Sequence, residues 1–348
     1  MISADRIKEI LSNAKNKPVL ALGDVMLDAY LAGPVERLSQ EAPVPVILVE
    51  DEQFFPGGAG NAANCMATIG IVTHIVGVVG GKGRIDYGQI LEEEYKKCGI
   101  NTHFSADPQR KTTLKLRLAA VKTTKQHVAR VDMEDTMPLD AEKEKEICQY
   151  LQSLAREVKP AVISLHDYKK GFLTENIFKN VCEISKSNNI PIFADLKQDT
   201  FVKYRKCISS PSLFFLKPNR NESVETAKIL NGFDKDGSSD EELSEVARII
   251  QNETPINIII TRGGKGAALF EVGKDPYFVR PEEVEEQYDV AGAGDTVEAF
   301  LVAGYLGGAT MPEALEMAIA ASQVAIRKFG TSVVTEEELL SWLEKIKL

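Results

Sequence analysis

The chain has 348 residues, 44% hydrophobic and 26% charged, enough for a large packed core and too apolar for global disorder. Its formal net charge of −10 disfavours nucleic acid and anionic lipid as general partners. No run reaches transmembrane length, the amphipathic start (Ile7, Ile10 and Leu11 among Lys and Glu) is unlike a signal peptide, and a cytoplasmic location is expected. The five cysteines and four histidines are scattered without CxxC or HxxxH, which argues against a disulfide framework or a zinc site.

In chain order, the first apolar run is 19–22, followed by Gly23-Asp24-Val25-Met26-Leu27-Asp28. Similar runs recur at 72–79, 161–165, 192–194, 213–216, 256–260 and 267–270, as expected for strands covered on both faces. Helical periodicity fills 139–156, 174–187 and 243–251, and capping-box patterns begin at Thr310 with Glu313 and at Thr335 with Glu338. The alternation predicts one α/β domain over 1–348, built on a doubly wound, mainly parallel sheet. Two segments break the pattern. The stretch 30–49 carries Pro34, Pro43 and Pro45; 112–131 alternates, with Leu114, Leu116 and Leu118 opposite Lys115 and Arg117. That is the period of a half-exposed antiparallel strand. Together, about 29–50 and 110–131, they predict a small inserted β-sheet that serves as a lid.

Several stretches carry chemistry, each beside a structural alternative. Carboxylates past the end of strand one, such as Asp28, lie where α/β sheets bind ligands, or are solvated loop acids. Gly57-Gly58-Ala59-Gly60-Asn61 opens a small-residue helix: a tight turn, or a place where a polyol approaches the backbone and Asn61. From 109 to 131 there are seven Lys or Arg and no acid, which suits either a charged edge strand or an anionic substrate. In Lys217-Pro218-Asn219-Arg220-Asn221-Glu222, Asn219 and Glu222 can reach Mg²⁺ through water, or Asn221 caps a helix. Thr261-Arg262-Gly263-Gly264-Lys265-Gly266 can pass a nucleotide phosphate but is not a Walker A loop. The absence of GxGxxG after strand one weighs against a dinucleotide-binding dehydrogenase. Gly292-Ala293-Gly294-Asp295 precedes a helical pattern. Its N–H groups can converge on an anion, and Asp295 either accepts the proton of an alcohol or caps the helix.

The ordered set resembles the ribokinase-like (PfkB) carbohydrate kinases, from residue 19 to residue 335. Within them it is most similar to the D-glycero-D-manno-heptose-7-phosphate kinases, through Gly23–Asp28, Gly33-Pro34, Glu41-Ala-Pro-Val-Pro-Val46, His166-Asp167-Tyr168-Lys169-Lys170-Gly171, Asp195-Leu196-Lys197, Tyr204-Arg205 and Gly330-Thr331-Ser332. The resemblance implies a ribokinase-like fold and phosphorylation of the anomeric hydroxyl of a sugar phosphate. It implies Asp295 as catalytic base over an anion hole that includes Gly292, Ala293 and Gly294. Asp28, Gly57, Gly58 and Asn61 would meet the sugar, Lys115, Arg117, Lys170 and Lys197 its phosphate, and Asp167 and Asp195 would complete the substrate set. Asn219 and Glu222 match the Mg-nucleotide motif, with Glu222 acting on the metal through water; Thr261, Gly263 and Gly266 match the nucleotide loop. ATP and Mg²⁺ are the implied cofactors, with a monovalent cation as a further candidate, and a homodimer through the lid is expected. Three positions depart from the pattern: Ala291 for Thr, Leu196 for Pro, and Ile319 for an Asn near the adenine. Bifunctional relatives add a nucleotidyltransferase domain with HxGH; this sequence has no HxGH, and a kinase-only chain is expected. The alternatives are a kinase for fructose 1-phosphate, fructose 6-phosphate or ribose, and a non-catalytic sugar-phosphate-binding regulator.

Overall fold

The computed structural model describes residues 2–121, 125–282, 290–328 and 330–345; Lys122, Asp289 and the side chain of Lys125 lie outside them. A nine-stranded sheet forms the centre. Its order is Tyr277–Val279, Ala267–Phe270, Asn257–Thr261, Phe214–Leu216, Ile192–Asp195, Val162–His166, Pro18–Gly23, Val72–Gly80 and Asn101–Asp107. Neighbours are parallel except for the two pairs at the Tyr277–Val279 end.

The continuous apolar runs are explained by burial on both faces. Val19, Ala21, Val162, Phe193 and Ile259 enter one core, while Leu20, Leu22, Ile163, Leu165, Ile192 and Ile258 enter the other. Helices such as Ala59–Thr68, Ala293–Leu306 and Met311–Ala325 cover the first face, and Ala141–Val158, Glu175–Asn188 and Asp240–Glu253 the second. Ala293–Leu306 is buried almost all round, which accounts for its lack of a polar stripe. Among the described residues no helix is long and apolar enough to cross a membrane.

Pro18–Gly23 is the topological switch point. The chain first builds outward from it to Val72–Gly80 and Asn101–Asp107, then crosses to Val162–His166 on its other side. Strand ends diverge at such a point and leave a crevice. Gly23, His166 and Asp195 all end strands at this edge.

A second sheet follows one residue later, ordered Asp51–Gly58, Val25–Gly33, Thr113–Val121 and Lys125–Met133, with a separate pair Val35–Leu38 and Pro45–Ile47. It is larger than the expected 29–50 and 110–131, because Asp51–Gly58 belongs to it. That strand reads as a loop in sequence. Its acids 51–52 are exposed, and Pro56 and Gly57 are tolerated because the strand lies at a sheet edge. Thr113–Val121 is antiparallel to Lys125–Met133, as its alternation suggests, but parallel to Val25–Gly33. Leu114 joins the core, while Lys115 and Arg117 turn toward Tyr168 and Asp28.

Candidate active site

The helix Ala293–Leu306 starts from Gly292, whose φ of +78° and packing both demand glycine: a Cβ there would lie 2.6 Å from Asn61 Nδ2. N–H groups of a first helical turn lack intrahelical acceptors and carry the positive end of the helix dipole. Asp295 sits in this turn and is buried. Asn61 Nδ2 donates to its Oδ2 at 2.7 Å, and the Tyr168 hydroxyl donates to its Oδ1 at 2.9 Å. Gly292 occupies the cap position, and the carboxylate is bonded by residues from two other elements. Of the two roles left open in the sequence, capping is therefore not the one its geometry shows. Burial holds the Asp295 carboxyl above the ordinary carboxylate range, against the opposing pull of Asn61 and Lys217.

Asn61 is placed by the junction of Asp51–Gly58 with the helix Ala59–Thr68. Gly58 adopts φ +59°, and a Cβ on it would meet Asp24 O at 2.5 Å. Tyr168 is placed by Asp24, whose carboxylate accepts the N–H groups of Tyr168 (2.8 Å), Lys170 (3.0 Å) and Phe172 (3.1 Å). Asp24 thus ties the loop after Val162–His166 to strand one. Lys115 Nζ and Lys197 Nζ lie 5.6 and 5.8 Å from the centroid of the Tyr168 ring, within cation–π range.

Below the Gly292–Asp295 turn lies a buried polar layer. Lys217 Nζ pairs with Asp195 Oδ2 at 2.7 Å and stands 3.9 Å from Glu298 Oε2. It would also be 3.7 Å from a Cβ on Gly294, directly under the turn. Burial pushes the Lys217 ammonium down, but Asp195 and Glu298 outweigh it and hold the group above its ordinary value. Burial likewise pushes Asp195 up, and Lys217 brings it below the usual range.

Among the residues that the resemblance assigns to the sugar, Asp28 Oδ1 pairs with Arg117 Nη1 at 2.7 Å, and a Cβ on Gly57 would lie 2.6 Å from Asp28 Oδ2. Asp167 accepts Lys169 N–H at 2.8 Å through Oδ1, and its buried Oδ2 has no hydrogen-bond partner. Three of the four cations matched to a substrate phosphate hold carboxylates: Arg117 with Asp28, Lys170 with Glu134 at 2.7 Å, and Lys197 with Glu222 at 2.6 Å. Lys115 has no ion pair among the described residues, and burial lowers its pKa.

Among the residues that the resemblance assigns to the nucleotide, Asn219 and Glu222 form a reciprocal capping box on the helix Arg220–Asn231: Glu222 N–H donates to Asn219 Oδ1 at 2.9 Å, and Asn219 N–H to Glu222 Oε2 at 3.0 Å. Asn219, rather than Asn221, is the cap. A bridge between Asn219 and Thr261 sets the two loops side by side. Gly263, with φ +57°, and Gly264 face open space, whereas a Cβ on Gly266 would strike Val279 O at 2.1 Å. Ile319 lines a cavity of about 170 Å³ with Tyr277, Val279, Glu316 and Gln323.

Sequence reasoning missed the contact of Tyr168 with Asp295 and the layer made by Ser164, His166, Lys217 and Glu298. His166, Tyr168 and Lys217 lie in motifs the sequence singled out, but without these contacts; Glu298 left a signal as a second acid, after Asp295, in an otherwise apolar helix.

A buried carboxylate in the first turn of a helix thus lies beside the strand ends at the switch point. Residues 16–338 match the pfkB family carbohydrate kinases. The chain belongs to that family: it is a sugar kinase, a phosphotransferase with an alcohol acceptor, of a kinase family that uses ATP. The bifunctional protein HldE of Syntrophotalea carbinolica is 34% identical over 336 residues, covering 96% of this chain and 64% of that protein. Its counterpart in Vibrio parahaemolyticus is 35% identical over 335 residues, covering 96% and 65%. The chain thus spans less than two thirds of the length of these relatives. Among solved structures, phosphofructokinase-2 from Escherichia coli in complex with potassium superposes with a TM-score of 0.74 at 16% identity, covering 96% of this chain and all of that one. Arabidopsis thaliana ribokinase complexed with ribose and ATP gives 0.65 at 18%, covering 95% and 99%. The fold is ribokinase-like, with the expected mainly parallel sheet and smaller second sheet.

Proposed function

We propose that the chain transfers the γ-phosphoryl group of ATP to the anomeric hydroxyl of D-glycero-D-manno-heptose 7-phosphate, with Asp295 as base. The observation that carries this reading is the Asp295 carboxylate itself, fixed by Asn61 and Tyr168 in the turn that begins Ala293–Leu306. A sugar hydroxyl beside it would be held in line and would lose its proton late in a loose transition state. The N–H groups of residues 293–295, with Lys217 beneath them, would stabilise charge on the transferring group.

The Asn219 and Thr261 loops would bring the nucleotide to that turn. Mg²⁺ would supply charge neutralisation between the phosphates. Hard-cation chemistry suits Glu222, whose carboxylate would act through water. For the substrate's own phosphate, Lys115 is the cation without a carboxylate partner, and Arg117, Lys170 and Lys197 would exchange theirs for it. Asp28, with Gly57 and Gly58, would meet the sugar, and Asp167 offers it the buried Oδ2. The second sheet would act as a lid that excludes water from the transfer. Two copies would join through the exposed strand Lys125–Met133, which carries Val128 and Val131. The choice of a heptose phosphate is supported by the motif resemblance and by the relatives named HldE.

The test is Mg²⁺-dependent ATP consumption with the heptose 7-phosphate, fructose 1-phosphate, fructose 6-phosphate and ribose, each with and without K⁺. Turnover confined to the heptose phosphate is expected. Turnover with another sugar overturns the substrate, and no turnover with any of them favours a regulator.

A further inference from the structure

The mechanism above leaves a buried acid unused. Glu298 lies one helical turn after Asp295 and is fully buried, as is His166. The two are 3.2 Å apart, His166 Nε2 to Glu298 Oε1, and Ser164 Oγ joins them at 2.8 Å from Nε2 and 2.7 Å from Oε1. His166 Nδ1 is buried without a partner. A proton on Nδ1 would leave a buried donor unsatisfied. The imidazole is therefore neutral with its proton on Nε2, donated to Ser164 Oγ, and the Ser164 hydroxyl donates in turn to Glu298 Oε1.

Charge bookkeeping in this layer is tight. Lys217 and Asp195 neutralise each other at 2.7 Å, while Asp295 adds a negative charge above them. An ionised Glu298 adds another, 3.9 Å from Lys217. The groups facing Glu298 are His166, Asp195 and Lys217 from the sheet, Asp295 in its own helix, and Tyr168 from the adjoining loop. Of the buried residues of Ala59–Thr68, only Asn61, Asn64 and Cys65 are not simple apolar or glycine positions, and burial pushes the Cys65 thiol up to about 12. Burial pushes Glu298 up to about 7, with Lys217 opposing, so its charge is easily changed near neutral pH.

We propose that Glu298 is a positioning residue for Lys217 whose protonation is linked to nucleotide binding. As phosphate settles on the Gly292–Asp295 turn, Glu298 takes up a proton from solvent, and Lys217 is released from one of its two carboxylates to face the ligand. This rests on the turn being the phosphate site of the proposed function, but not on the identity of the sugar. Ser164, anchored by His166, donates to Oε1 of Glu298 in both states, and the unpartnered Oε2 facing Lys217 carries the proton.

The test is calorimetric titration of the protein with a non-hydrolysable ATP analogue and Mg²⁺ at pH 7.5, in two buffers of different ionisation enthalpy. Comparing wild type with Glu298→Gln cancels the ligand's own proton. Wild type should take up about 0.5–0.8 proton more than the variant, and its affinity should fall by up to about tenfold per pH unit above neutrality while that of the variant changes less. A purely structural role for Glu298 would move neither quantity. If Glu298→Gln does not fold, a protonated-carboxyl band appearing in the infrared difference spectrum of wild type on nucleotide binding supports the same conclusion. Equal proton uptake in wild type and variant, or no new carboxyl band, overturns the linkage alone. Absence of any binding overturns the nucleotide site and the linkage with it.

Discussion

Asn61 and Asp295, 234 residues apart, meet at 2.7 Å with Asn61 donating to the carboxylate. This contact fixes the helix Ala59–Thr68 against the start of Ala293–Leu306 and orients the proposed base. Asp295→Asn should lower kcat by about 10²–10⁴-fold while leaving ATP affinity nearly unchanged. The same variant should be more stable than wild type at pH 7. Burial raises the Asp295 pKa in the folded state, so ionisation costs stability there. Wild type regains that stability as pH falls through the raised folded value, and the gap between the two proteins should close. Thermal unfolding across pH 4–7.5 measures it, and a gap that widens toward acid would sink the argument.

Tyr168→Phe removes the second donor on Asp295 and keeps the ring between Lys115 and Lys197. A hydrogen bond to a charged group contributes about 1.5–3 kcal/mol, so turnover should fall about 10–150-fold. The acid limb of the kcat profile should also move to higher pH, because the ionised carboxylate loses a partner. An unmoved limb would show that Asp295 does not control it.

Lys115→Met should raise KM for the sugar phosphate at least about tenfold, with a smaller effect on kcat. Among the described residues Lys115 has no carboxylate to leave exposed on removal, so the variant should fold normally. Unchanged KM would place the substrate's phosphate elsewhere.

Gly292→Ala should destabilise the protein by about 1–2 kcal/mol through its left-handed backbone alone. The added methyl also presses on Asn61 Nδ2, so activity should fall together with stability. Full activity in a folded variant would show that the turn gives way without disturbing the base.

Val131 is 48% exposed on the outer strand of the second sheet. Val131→Lys should shift a homodimer toward monomer in light scattering, since a charge on a strand edge opposes pairing. A wild type that is monomeric at high concentration would dispose of the lid dimer.

The strands and helices were legible because their signals are local. Val19–Leu22 is apolar at every position since Val19 and Ala21 face one core and Leu20 and Leu22 the other. The glycine at 292 marks a helix start wherever the chain goes next. Asp51–Gly58 was not legible, because an edge strand tolerates Pro56 and glycine and has no alternation to read.

The α/β alternation, the order of the motifs and the family they point to can be read from the residues in order. The switch point at Pro18–Gly23, the meeting of Asn61, Tyr168 and Asp295, and the burial of Glu298 against His166 emerge only on packing. So does the pairing of Arg117, Lys170 and Lys197 with carboxylates, which Lys115 lacks among the described residues. Burial patterns and turn chemistry act over a few neighbouring residues and survive in the sequence. Hydrogen-bond partners and ion pairs depend on which distant strand ends converge, and that is set by packing the whole chain at once.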